Sequence, residues 1–218
     1  MAVVNASPPP GGGGWGVGGC LGANQASGPA HMTRFWLVRH GPTHAKAMIG
    51  WTDLPADLSD SAAIARLTAH LPPSAPVISS DLARAVATAD VLGHRPRLPH
   101  DPDLREMNFG QWEERGFAEV EAEDPALIRA FWDNPGDISP PDGESWNALT
   151  RRSWAALDRL QGTAPDIIVV AHFGPILAAV QRAAGVTALQ AFAHRIDNLS
   201  VTSLSLDPPK VLAINHLP

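Results

Sequence analysis

This sequence predicts an α/β fold: a three-layer sandwich with a mostly parallel central sheet of about five or six strands and helices on both faces. Three observations point there. From Arg34 onward, short apolar runs alternate with stretches of helical periodicity, which is the pattern of βαβ units. The runs are continuously apolar rather than alternating, as strands covered on both faces are. With 218 residues, 44% apolar and 17% charged, the chain can bury a core, and its length suits one domain better than two.

The head of the chain stands apart. Residues 1–31 contain no Lys, Arg, Asp or Glu, carry the runs Pro8-Pro9-Pro10 and Gly11-Gly12-Gly13-Gly14, and hold nine of the 19 glycines. Such a composition cannot offset its ordering entropy, so residues 1–32 are expected to be a disordered Gly/Pro-rich extension and residues 33–218 the domain. Met32 is the expected true start. Gly11 to Gly16 satisfies G-x-G-x-x-G, yet no strand precedes it and no helix or acidic partner follows, so the dinucleotide reading fails. A basic n-region is missing and no stretch approaches the ~18 apolar residues of a membrane span, which argues against a secretory signal and a membrane partner.

The first strand is Phe35-Trp36-Leu37-Val38. Ser61 to Leu71 follows as a helix, Pro76-Val77-Ile78-Ser79 as a short strand, and Asp81 to Leu92 as a second helix. In that helix Leu82, Ala85, Val86, Ala89 and Leu92 recur on one face, with Ser80 or Asp81 placed to cap its start. Asn108 to Pro141, rich in Glu, Trp and Pro, reads as an irregular or helical insertion over the sheet. After a helix from Glu144 to Gln161 comes the clearest strand, Asp166-Ile167-Ile168-Val169-Val170-Ala171, then a helix from Pro175 to Ala184 with a proline suited to its first turn. Leu199 to Leu206 and Val211 to Ile214 are two further strands.

The net charge of −6, from 16 Lys and Arg against 22 Asp and Glu, argues against a nucleic-acid partner. Any anionic ligand must be small and held by a local cluster. The single cysteine, Cys20, leaves no internal disulfide and no thiolate-based zinc site, and the cytoplasm is the expected compartment.

Chemistry is carried by the residues just past the strand ends. The first strand runs into Arg39-His40-Gly41, the second into Ser79-Ser80-Asp81 and Arg84, and the third into His172-Phe173-Gly174. Ligands of open α/β sheets bind at the carboxyl ends of strands, so two arginines and two histidines gather on one edge. On a helical wheel Arg84 points about 160° away from Leu82 and Val86, free to lean over the strand ends. A helix starting beyond His172 adds unpaired N–H groups that favour an anion.

Guanidinium forks suit a phosphoryl group better than a carboxylate or a metal cation. Without a Walker-type loop, histidine is the remaining nucleophile, and surrounding cations favour its neutral form and stabilise the transferring phosphoryl group. His40 and His44 have the i, i+4 spacing of helical zinc ligands, but Gly41 and Pro42 between them argue against a helix and Arg39 repels a cation. No metal and no cofactor is expected.

Leu37-Val38-Arg39-His40-Gly41-Pro42-Thr43 resembles the signature of the histidine phosphatase superfamily, also called the phosphoglycerate mutase-like family. Ser79-Ser80-Asp81-Leu82-Ala83-Arg84-Ala85 through Thr88-Ala89 resembles its second motif, and Val170-Ala171-His172 with Gly174 its third. The resemblance spans Thr33 to Pro218 and implies His40 as nucleophile, Arg39, Arg84 and Thr43 as phosphate-binding residues, and His172 as phosphate ligand and transition-state stabiliser. Leu104-Arg105-Glu106-Met107-Asn108-Phe109-Gly110-Gln111-Trp112-Glu113 is similar to the family's proton-donor stretch, which nominates Glu106, with Asp53, Asp57, Glu113 and Glu144 as rivals.

The sequence departs from the family pattern at Pro42, often Glu, at Lys46, often Asn, and at Phe173, often Gly. Lys46 is then either a charged phosphate contact or a solvated surface lysine, and Phe173 an altered backbone or an apolar wall for the leaving group. Among the seven tryptophans, Trp112, Trp132 and Trp146 are packing residues or the lining of such a pocket.

The implied activity is that of a histidine acid phosphatase-type phosphomonoester hydrolase on the phosphatase branch, acting on a small phosphorylated metabolite through phosphohistidine, as monomer or homodimer. The absence of Tyr and the few basic residues of the insertion favour water as acceptor. Mutase-type transfer and a non-catalytic phosphate-binding scaffold remain the alternatives.

Overall fold

The computed structural model describes residues 32–218. Residues 1–31 of the expected disordered extension, with Cys20 and the Gly11 to Gly16 run, lie outside the described residues.

Five strands, β1 (Arg34–Arg39), β2 (Val77–Ser79), β3 (Asp166–Ala171), β4 (Val201–Leu206) and β5 (Pro209–His216), form one sheet in the order β2-β3-β1-β4-β5. β3 is parallel to both of its neighbours, β4 is antiparallel to β1, and β5 is antiparallel to β4. Only β4 is therefore reversed, and the other four strands point the same way. The helices are α1 (Ser61–His70), α2 (Ala83–Asp90), α3 (Phe117–Glu123), α4 (Pro125–Asp133), α5 (Trp146–Leu160), α6 (Phe173–Ala184) and α7 (Ala188–Phe192). The insertion holds α3 and α4. Among the described residues no helix is long and apolar enough to cross a membrane.

Three layers arise from the two-residue period of the strands. Along β3, Ile167 and Val169 face one cluster, which includes Leu149 of α5 and Ile176 of α6. Ile168 and Val170 face the other, with Leu67 of α1 and Ala85 and Ala89 of α2. Ile167 to Ala171 are all buried, which is why the segment reads as an unbroken apolar run.

Two local expectations are corrected. Neither Ser80 nor Asp81 caps α2: its first free N–H, on Ala83, donates to the Asp53 carboxylate at 2.7 Å. Both candidates are engaged elsewhere, Ser80 with His172 and Asp81 in a two-bond pair with Arg105. α6 begins at Phe173, two residues before Pro175, so proline sits at its third position, where its missing N–H still costs nothing.

Candidate active site

β1 and β3 are in register, with Arg39 beside Ala171, so the next residues, His40 and His172, leave the sheet side by side. Their ring centroids are 4.9 Å apart. β2 ends level with them, and Ser80 Oγ lies 2.6 Å from His172 Nε2. The turn after His40 needs glycine, because a Cβ on Gly41 would lie 2.6 Å from Leu58 Cδ2 and 3.1 Å from the Asp57 carbonyl. Gly41 N–H donates to the Thr88 hydroxyl at 2.9 Å, which donates to the Arg84 carbonyl at 2.7 Å, tying this turn to α2.

The strand ends open into a polar cavity of about 120 Å³ lined by Arg39, His40, Thr43, Arg84 and Glu106 with apolar residues of the following loop. A larger cavity, about 400 Å³ beside Pro42, His44 and Arg66, contains neither His40 nor His172.

Within the polar cavity, His40 Nδ1 donates to the Gly41 carbonyl at 2.7 Å, leaving Nε2 as a bare lone pair. Burial pushes His40 down to about 3, the Gly41 bond opposes this, and Arg84 and Arg39 push it down further. The Asn198 amide donates to the His40 carbonyl at 2.8 Å and holds its backbone.

His172 is fully buried behind His40 and does not line the cavity. Burial first, then His40 and the nearby arginines, holds it well below its ordinary range. Its Nε2 is held by Ser80, and its Nδ1 has no hydrogen-bond partner among the described residues.

Arg39 donates one bond, 2.6 Å to the Ile196 carbonyl, and its Nε is buried without a partner among the described residues. Arg84 reaches the cavity at the strand ends, as the helical wheel suggested, but it is not free there. It is 1% exposed and clamped by the carbonyls of Gly50 at 2.6 Å and Thr52 at 2.9 Å. The wheel missed this clamp because it considers α2 alone, while the 50–53 segment folds over that face.

Glu106 is buried, and its Oε1 accepts from Met107 N–H at 2.9 Å and Gly174 N–H at 3.0 Å. The start of α6 thus gives an N–H to this carboxyl group, where the sequence suggested a ligand anion. A Cβ on Gly174 would lie 2.5 Å from Oε1, so glycine is needed for that approach. Burial raises the Glu106 carboxyl above its ordinary range against the opposing bond from Met107 and the charges of Arg84 and Arg39. Oε2 makes neither of these two bonds.

The rival carboxylates all have structural partners. Asp53 caps α2, Asp57 pairs with His44 at 2.8 Å, and Glu144 pairs with Arg152. Glu113 accepts from the N–H groups of Gly50, Trp51, Thr52 and Phe109 and from the Thr52 hydroxyl. Lys46 is exposed and does not line the cavity, so of the nominated phosphate-binding residues it alone lies outside it. Sequence reasoning missed Ser80, Asn198 and the Gly50 and Thr52 carbonyls as supports. Ser80 and Thr88 lay in a recognised motif, whereas Asn198 gave no local signal.

Glu113→Gln turns an NH₂ group toward N–H donors and is expected to cost about 1–3 kcal/mol. It should also raise KM, because the loop whose carbonyls clamp Arg84 loosens. Urea unfolding and steady-state kinetics check this, and unchanged KM would remove the loop from binding.

A second expectation concerns acid stability. Between pH about 6.5 and about 3, unfolded His40 binds a proton that folded His40 refuses. Stability therefore falls as pH drops through that window, by up to about 1.4 kcal/mol per pH unit, and is independent of His40 above it. His40→Asn should lose less stability than the parent between pH 7 and about pH 4.5 in urea titrations. An equal loss would mean that His40 protonates freely within the fold.

Comparison with known proteins matches residues 35–215 to the family described as Histidine phosphatase superfamily (branch 1). The chain is 29% identical over 173 residues to adenosylcobalamin/alpha-ribazole phosphatase of Salmonella typhimurium, covering 75% of this chain and 86% of that protein. It is 33% identical over 166 residues to glucosyl-3-phosphoglycerate phosphatase of Mycolicibacterium vanbaalenii, covering 67% and 72%. Among solved structures, the alpha-ribazole phosphatase from Shigella flexneri superposes with a TM-score of 0.72 at 25% identity, covering 84% of this chain and 96% of that one.

Proposed function

Because the chain belongs to the histidine phosphatase superfamily, branch 1, we propose that it is a phosphomonoester hydrolase acting on a small phosphorylated metabolite through phosphohistidine at His40. The observation that carries this is the polar cavity, in which a neutral His40 with a free Nε2 meets Arg39, Arg84 and the carboxyl of Glu106.

In the first step Nε2 bonds to phosphorus as the bond to the leaving oxygen breaks, and Glu106 passes its proton to that oxygen. The imidazole gains positive charge, which the Gly41 carbonyl stabilises through Nδ1–H. Arg39 and Arg84 balance the charge on the phosphoryl oxygens. His172, packed against the His40 ring behind the cavity, supports that ring rather than touching the phosphoryl group. In the second step water attacks phosphorus, Glu106 takes its proton, and the P–N bond breaks to restore neutral His40 and release orthophosphate.

Arg39 and Arg84 are the cations lining this cavity, and both are needed for one phosphoryl group. That favours hydrolysis over transfer to a second phosphorylated molecule. A panel of sugar phosphates, phosphoglycerates and nucleotides, assayed for orthophosphate with and without chelator, tests the reading. Orthophosphate release that persists in chelator is expected. Faster exchange between phosphoglycerates than release, or phosphate binding without turnover, would overturn it.

A further inference from the structure

Beside the polar cavity lies a second one of about 50 Å³, lined by Met107, Phe109, Trp132, Trp146, Phe173 and Phe192, and the residue lining both is Glu106. We infer that this aromatic cavity receives the leaving alcohol, and that the substrate is a phosphomonoester whose alcohol carries an uncharged, apolar, ring-sized group. The inference rests on the hydrolytic reading of the polar cavity.

Position gives the first argument. Glu106 must reach the oxygen that joins phosphorus to the leaving carbon, so that carbon lies on the Glu106 side of the phosphoryl group. The aromatic cavity is the second space that Glu106 borders.

Lining gives the second. The cavity has no Lys or Arg in its wall: Arg39, 5.6 Å from the Phe173 ring centroid, is engaged with the Ile196 carbonyl, and Arg152, bonded to the Glu106 carbonyl, is paired with Glu144. A carboxylate or second phosphate placed there would lose its hydration with no partner. An apolar ring gains by leaving water.

Size and rigidity give the third. About 10–15 Å³ admits one water, so this cavity takes several waters' worth of ligand, on the scale of a single ring. Trp146 and Phe192 meet edge to face at 4.6 Å, and the Trp146 indole N–H is held by Gln181 at 2.8 Å, so that wall is preformed.

The test compares benzyl phosphate, glycerol 3-phosphate and 3-phosphoglycerate, all esters of primary alcohols. They differ chiefly in the apolarity and charge of the leaving group. Benzyl phosphate is expected to exceed glycerol 3-phosphate in kcat/KM by about tenfold or more, with 3-phosphoglycerate the poorest. Trp132→Leu and Phe192→Ala should bring the benzyl to glycerol ratio close to one. Because both esters use the same polar cavity, general loss of folded protein cancels from that ratio.

Glycerol 3-phosphate as good as benzyl phosphate, or a ratio unmoved by both variants, would overturn the inference and leave the hydrolytic reading standing. No turnover of any of the three, with no phosphoryl label on His40, would overturn both.

Discussion

His40→Ala is expected to lower kcat by at least about 10⁴-fold, and to abolish the acid-labile phosphoryl label that rapid quench with a radiolabelled monoester captures from the parent protein. No neighbour can substitute. His172 is fully buried, with Nε2 held by Ser80, and does not line the cavity. The carboxyl of Glu106 has one oxygen committed to two backbone N–H groups. Urea unfolding at pH 7 separates chemical loss from unfolding, since removing a neutral buried ring leaves no unpaired charge. Label and turnover retained by the variant would exclude a covalent intermediate at His40.

Glu106→Gln should have the second largest effect, and one that depends on substrate. An alkoxide departs poorly unless protonated as it leaves, so alkyl phosphates should lose about 10²–10⁴-fold in the phosphorylation step. The phenolate of para-nitrophenyl phosphate is stable by itself, and its loss should be far smaller. Single-turnover measurement of enzyme phosphorylation isolates that step from the later attack of water, in which the proposed mechanism uses the same carboxylate. Equal losses for both leaving groups would remove Glu106 from the acid role. Glu113 would not inherit it, because both of its oxygens are occupied by hydrogen bonds to the 50–52 segment and Phe109.

β3 was legible to the residue, because a strand buried on both faces is apolar at every position and that signal is local. α1, α2, α5 and α6 were legible within two residues at each end. α7, at five residues, is shorter than two helical turns and carries no readable period. Caps were misread where a partner came from elsewhere in the chain. Asp53 reaches α2 from 30 residues away, and no local pattern distinguishes it from the nearer Ser80 and Asp81.

What the sequence by itself determined is which groups assemble: three apolar runs of parallel sense, each ending in Arg, His or Ser, put those side chains on one edge because chain direction carries them there. What only the tertiary structure decided is their chemical state. Burial lowers His40 and His172 and raises Glu106. It arises from segments far away in sequence, such as Asn198, whose side chain bonds to the His40 backbone from 158 positions away. The aromatic cavity has the same origin, since its walls come from α4, α5, α6 and α7 and the Met107 to Phe109 loop. Desolvation depends on everything packed around a group, and that is a property of the folded neighbourhood.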